Sequence, residues 1–226
     1  MAYLLLMDAA TSSCRVGVAS PEGMVSSAVV ENGFKHAEQL TLLVEACMDK
    51  AKISFSQLAG VAITGGPGSY TGLRIGASVA KGIAFARQLP LIALNTLEVM
   101  AKGYFLAHPA LAEGSLVVPM IDARRMEVFT AAMHNGGGWV LPPQPLVLTS
   151  ESFAELPASH FYFFGDGALK FKELFGKQAD FDDQMYLGLE PMRQLAFQQL
   201  KEGKLEDIAY YRPDYHKDFY SPLPNK

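Results

Sequence analysis

The chain is short of three things, and each shortage excludes a class of function. Cysteine occurs only twice among 226 residues, as Cys14 and Cys47. Two thiols make no disulfide framework and no metal-ligand spacing, so they read as reduced cysteines of a cytosolic protein. Basic residues are outnumbered, 19 Lys and Arg against 23 Asp and Glu, giving a formal net charge of −4. Tight nucleic-acid binding takes its affinity from Lys and Arg that neutralise phosphates, so this balance argues against such binding by the chain alone, local basic patches aside. Long apolar runs are missing too. The opening AYLLLM is too short for a signal-peptide core and lacks a basic flank. No run approaches the roughly 20 residues of a membrane span. A soluble cytoplasmic protein is expected. What the chain does have is apolar residues, 50 % of the total, enough to fill one large domain or two small ones.

Those residues alternate between strand and helix patterns in an order that repeats. Residues 2–8, 14–20 and 24–31 read as three strands around the turn Pro21-Glu22-Gly23, and the first ends at Asp8. A helix over 36–51, a strand over 58–64, a helix over 72–88, a short strand over 91–94 and a helix over 96–107 follow. The second half opens the same way, with strands over 115–122, ending at Asp122, and 126–133. A strand broken by Pro142, Pro143 and Pro145 comes next, then a short helix over 151–156, a strand over 160–165 and a helix over 168–175. No element is assigned between 176 and 211. The expected organisation is an N-terminal lobe over 1–110, a C-terminal lobe over 111–211 and an extended tail over 212–226. Three hairpin-linked strands followed by a helical crossover give a mixed sheet. The arrangement resembles the ribonuclease-H-like fold, of which two facing lobes make up the actin, Hsp70 and sugar-kinase superfamily; the second lobe here is smaller and degenerate. That resemblance implies a cleft between lobes that holds ATP in other members.

The chemistry at the cleft positions is uneven. Asp8-Ala9-Ala10-Thr11-Ser12-Ser13 sets hydroxyls behind an acid, so Asp8, Thr11 and Ser12 are candidates for a vestigial phosphate or Mg²⁺ site, with a plain polar hairpin turn as the other reading. Asp122-Ala123-Arg124-Arg125-Met126 has no Gly, Ser or Thr, and a backbone cradle for phosphate needs small residues. Gly165-Asp166-Gly167-Ala168 resembles a shortened nucleotide-proximal turn and equally an ordinary strand-to-helix turn. His36 opens a helix as HAEQL; a metal-binding helix carries a second histidine four residues on, where Leu40 stands. No metal, cofactor or nucleophile set is expected. Two functions stay open: an interaction protein without chemistry of its own, or an ATP-binding phosphotransferase or hydrolase with Asp8 and Thr11 at the phosphates.

Two helices favour the first. In ITGGPGSYTGLRIGASVAKGIAFA, residues 63–86, Gly72, Gly76, Ala80 and Ala84 recur every four positions as a shallow stripe. Ile75, Val79, Ile83 and Ala86 make a bulkier stripe beside it, while Phe85 sits among the polar residues. A surface helix normally buries one stripe. The bulky stripe is expected on the sheet and the small one against another helix. The first helix has Leu40, Leu43, Val44 and Cys47 on its main stripe, with Leu42 and Ala46 opposite. Either the two helices satisfy each other within the lobe, or they form a small bundle with another subunit. The expected interface is His36, Leu40, Leu43, Val44, Cys47, Gly72, Gly76, Ala80 and Ala84.

The stretches GGPGSYTGLRIGASVAKGIA (residues 65–84) and IDARRMEVF (121–129) are similar to two hallmark segments of the bacterial TsaB family, formerly YeaZ. MDAATSSCRVGVA, HAEQL and the C-terminal Tyr211-Arg212-Pro213-Asp214-Tyr215 fit the same family, in the same order along the chain. The resemblance implies a non-catalytic protein of tRNA threonylcarbamoyladenosine biosynthesis. Its partner would be a TsaD-like transferase, which modifies the adenosine next to the anticodon, and a TsaE-like ATPase would join the pair. Leu40 in place of the second histidine of TsaD's His-x-x-x-His motif agrees with a non-catalytic relative. The resemblance places the transferase on the two N-terminal helices. Contact with tRNA would come only through the complex, no membrane is involved, and a homodimer is expected when the chain is alone.

Overall fold

The computed structural model describes residues 2–31, 36–135, 137–176 and 179–215, with the side chains of 36–38 left outside the description. In the first half, β1 (Tyr3–Asp8), β2 (Cys14–Ser20), β3 (Gly23–Val30), α1 (His36–Ala51), β4 (Leu58–Gly66), α2 (Tyr70–Arg87), β5 (Leu91–Asn95) and α3 (Thr96–Ala107) follow one another. The second half has β6 (Leu116–Asp122), β7 (Glu127–His134), β8 (Trp139–Val147), β9 (Phe161–Phe164), β10 (Ala179–Asp182) and α4 (Leu189–Glu202). The two five-stranded sheets have the orders β3-β2-β1-β4-β5 and β10-β9-β6-β7-β8. In each, the first strand pairs antiparallel with the second and parallel with the fourth, so the duplicated mixed α/β topology is explicit.

The layers follow from which faces are apolar. β1 is buried on both sides, hence its unbroken run of large side chains. Leu5 and Met7 face an outer core with Leu40, Val44, Cys47, Ala80 and Ala84 of α1 and α2. Leu4 and Leu6 face an inner core shared with α3, α4 and the second sheet. α3 packs on β6 and β7 of the second sheet as well as on β4 and β5, whereas α4 lies across β1, β2, β3 and β5. The last helix of the second half is therefore held by the first sheet. Capping fixes the helix starts: Ser69 Oγ accepts from the Gly72 N–H, and Asn95 Oδ1 accepts from Leu97 and Glu98.

The second half departs from the sequence-based expectation. Residues 151–156 are turns, and only a 3-10 turn, Leu169–Phe171, forms within 168–175. These segments plug the outer face of the second sheet with Phe153, Phe171 and Phe175, which a few well-placed rings accomplish without a helix. α4 and β10 lie where no element was assigned. The signal for α4 was present: Leu189, Met192, Leu195 and Ala196 are buried at helical spacing, and Gly203 ends the helix with φ 69°.

Beyond α4 the chain returns to the first lobe. Glu206 N donates to Leu91 O at 2.8 Å and Asp214 N to Gly65 O at 2.8 Å. The Lys81 ammonium reaches the Tyr211 carbonyl at 3.1 Å, and the Tyr215 ring lies 4.8 Å from Tyr70. Residues 212–215 of the expected tail are thus laid on the first lobe; 216–226 fall outside the described residues.

Met192 of α4 is fully buried in the core shared by both sheets. Met192→Ala is expected to cost about 2–5 kcal/mol, and chemical denaturation should shift as one transition, because the same helix ties the two halves together.

Candidate functional site

The interlobe cleft has a volume of about 650 Å³ and is lined by Thr11, Ser12, Arg15, Asp122, Arg124 and Asp166, among others. Asp8 sits behind it, fully buried. Its Oδ1 accepts from the Ala10 N–H at 3.0 Å and the Thr64 hydroxyl at 2.7 Å, and its Oδ2 from the Arg15 guanidinium at 2.8 Å. A buried carboxylate so occupied has its charge matched and both oxygens engaged, leaving little for Mg²⁺ or a phosphate-bound water. Sequence reasoning selected Asp8 but not Arg15 or Thr64, its actual partners; Thr64 is 56 residues away along the chain.

The glycine loop is spent in the same way. Gly66 has φ +116°, and a Cβ there would strike the Asp214 backbone; a Cβ at Gly72 would strike the Ala9 carbonyl. Ser69 N donates to Ala10 O at 2.7 Å. The start of α2, where an anion would sit in a phosphate-binding relative, is thus packed against the Asp8–Ser13 turn and the returning C-terminal segment. On the opposite wall, Asp122 Oδ1 takes the Lys170 ammonium at 2.6 Å and the Arg124 N–H at 2.6 Å. Desolvation works against the Asp122 carboxylate, but Lys170 and the Arg124 N–H outweigh it and hold the carboxyl below its usual range. Asp166 accepts the Asp122 N–H at 2.8 Å. Crowding by the cleft wall pushes its carboxyl above the usual range, although the residue as a whole is exposed. These residues do not fit Mg-ATP.

A second concavity lies between α1 and α2. It measures about 560 Å³ and is walled by Val44, Met48, Phe55, Val79, Gly82 and Ile83, with Glu45 and Asp49 at one edge. On the same two helices Leu42 is 62 % exposed and Phe85 77 % exposed. Gly82 lies mid-helix, and among the described residues nothing lies within 4 Å of where a Cβ would sit. An exposed helical glycine destabilises the helix by about 1 kcal/mol relative to alanine, and no contact among the described residues requires it.

The residues expected at the interface divide between two faces of the helices. Leu40, Val44, Cys47, Ala80 and Ala84 are at most 4 % exposed, and Gly72 and Gly76 are buried too. The small stripe faces the chain's own sheet, because large side chains at Leu5, Met7, Val61 and Ile63 leave room only for small ones opposite. The bulkier stripe, Ile75, Val79 and Ile83, stays half-buried on the outer side, as does Leu43 of α1. The His36 side chain lies outside the described residues. Gly82 and Phe55 were missed; an isolated glycine in an otherwise helical run was the available signal.

Residues 30–211 match the model of TsaD, the tRNA N6-adenosine threonylcarbamoyltransferase family. The chain belongs to that family, in its TsaB (YeaZ) branch. The tRNA threonylcarbamoyladenosine biosynthesis protein TsaB of Escherichia coli strain K12 is 28 % identical over 238 residues, covering 99 % of each chain. YeaZ from Pseudomonas aeruginosa superposes with a TM-score of 0.79 at 27 % identity, covering 95 % of this chain and all of that one. The tRNA N6-adenosine threonylcarbamoyltransferase of Halalkalibacterium halodurans is 45 % identical, but over 78 residues only, 34 % of this chain and 22 % of its own. The Escherichia coli protein thus aligns along its whole length, and the Halalkalibacterium halodurans transferase over a part only. Among the described residues no group of three or more His, Cys, Asp or Glu could hold a metal ion, and no helix is long and apolar enough to cross a membrane.

Calorimetric titration of Mg-ATP into the chain should give no saturable micromolar binding. Asp8→Ala should instead cost about 3 kcal/mol of stability by stranding Arg15 and two further donors. Micromolar binding abolished by that substitution would overturn this account of the cleft.

Proposed function

We propose that this TsaB-family chain is a non-catalytic subunit of tRNA threonylcarbamoyladenosine biosynthesis. It binds a TsaD-type transferase and positions it for threonylcarbamoyl transfer to the tRNA adenosine next to the anticodon. The observation that carries the reading is the apolar groove between α1 and α2, lined by Val44, Val79, Gly82 and Ile83, on two helices that also expose Leu42 and Phe85. An apolar face of this kind seldom stays bare. A glycine that costs helix stability within the monomer is explained if a partner helix crosses there closely. Glu45 and Asp49 at the edge suit a partner whose rim is basic.

The cleft supports the non-catalytic half of the proposal, because the groups that chemistry would use are committed to internal contacts. A TsaE-type ATPase would join the assembled pair in the cytoplasm, and tRNA would meet the chain only within that assembly. Without the transferase, the same groove would close on a second copy.

Two substitutions separate binding from folding. Gly82→Leu fills the groove at a position with open space and should leave the isolated chain as stable or up to about 1 kcal/mol more stable. Phe85→Glu removes an exposed ring without touching the core. Each should abolish co-elution with the transferase on size exclusion and reduce reconstituted tRNA modification at least tenfold. Co-elution unchanged in both variants would refute this docking face.

A further inference from the structure

The segment that follows α4 is fastened to the first lobe at a few points, and one of them works against the others. The chain leaves α4 at Gly203, whose φ of 69° turns it back. It first meets β5, the last strand of its sheet, where Leu91 and Glu206 form a single antiparallel bridge. It then runs along α2 against the direction of that helix. The Lys81 ammonium donates to the Ala209 carbonyl at 3.4 Å and to the Tyr211 carbonyl at 3.1 Å, and Tyr215 ends beside Tyr70 in the first turn of α2. The Asp214 N–H closes the run on the Gly65 carbonyl at 2.8 Å.

Among residues 206–215 only Tyr211 is buried, while Tyr210 beside it is 82 % exposed. The Tyr211 ring fills a slot in the outer core with Leu91, Ala93 and Ala80. Gly65 makes the slot, since a Cβ there would sit 3.0 Å from the tyrosine hydroxyl. Among the described residues that hydroxyl has no hydrogen-bond partner, although it is buried. Burial also pushes its pKa well above the ordinary tyrosine value, so it stays a protonated donor. The two ends of the side chain therefore oppose each other. Burying the ring favours the closed segment. Taking the hydroxyl out of water with no acceptor disfavours it. Phenylalanine would keep the ring contacts and remove the penalty.

A segment with one buried side chain and mostly exposed neighbours is the kind that opens below the free energy of global unfolding. We propose that residues 206–215 are a releasable strap, opening and closing as a unit while the two-sheet core stays folded. Lys81 is its latch, and the Tyr211 hydroxyl keeps closure weak. Opening uncovers the β5 edge at Leu91 and the Gly65 carbonyl together. A bare strand edge is a template for an extended segment of another chain, so the closed strap is an autoinhibitory cover on that edge. The strap lies on the Lys81 side of α2, and its opening does not depend on which partner the groove between α1 and α2 accepts.

The test is amide hydrogen exchange of the full chain, read residue by residue by NMR at Glu206, Asp214 and the amides of β1. The two strap amides should be protected to a similar degree, and at least about a hundredfold less than β1. Tyr211→Phe should raise the protection of both strap amides about tenfold, in keeping with the penalty of a buried unpaired hydroxyl, and leave β1 unchanged. Lys81→Met keeps the aliphatic stem and should lower both at least fivefold, again without effect on β1. Strap amides as protected as β1 would show that the segment leaves only on global unfolding, and would overturn the proposal. Glu206 and Asp214 responding separately to Lys81→Met would overturn the single strap. Lower protection in Tyr211→Phe would overturn the role of the hydroxyl.

Discussion

The inner core, in which α3 and α4 lie together between the two sheets, is the constraint on which the rest of this molecule depends. Each helix ends one half of the duplicated chain, and each is buried largely by the other half. Neither sheet can cover its inner face alone, so the halves are closed together by apolar burial rather than by a ligand between them. The outer face of the second sheet can then be sealed by turns carrying phenylalanines, and its helical layer has shrunk accordingly.

That closure alters what the cleft can do. In a two-lobed fold built for nucleotide, the acid after the first strand and the glycine turn would stay open to phosphate. Here both oxygens of the buried acid are engaged by an arginine, a hydroxyl and a backbone N–H, and the turn receives the chain's own backbone from two directions. The same residue types that suggest phosphate chemistry in a sequence serve here as internal fasteners. The C-terminal Tyr211–Tyr215 segment takes part, since Asp214 backs the glycine loop and Tyr215 packs on the first turn of α2.

With the cleft occupied by internal contacts, the outer face of the first lobe becomes the informative surface. α1 gives Leu40, Val44, Cys47 and Met48 to the sheet and α2 mainly small residues, while Leu43, Ile75, Val79 and Ile83 stay half-covered outside. A helix pair arranged this way leaves a groove whose apolar walls and open glycine fit a second pair of helices.

The sequence by itself determined the family, the duplicated strand order, the position of each first-strand acid and the presence of two helices with more apolar arc than one lobe needs. These are local or periodic properties, and they survive in a one-dimensional reading because strand alternation, helix spacing and motif order do not depend on distant contacts. The tertiary structure alone decided which stripe of α2 faces inward. Periodicity gives the angle between stripes but not the size of the side chains opposite, and the large residues at Leu5, Met7, Val61 and Ile63 admitted the small stripe. It also decided that Asp8 would be paired, since Thr64 reaches it only after β4 lies beside β1. The second half was least legible, because phenylalanines in turns carry no period, and because α4 belongs by packing to a sheet made more than 90 residues earlier in the chain.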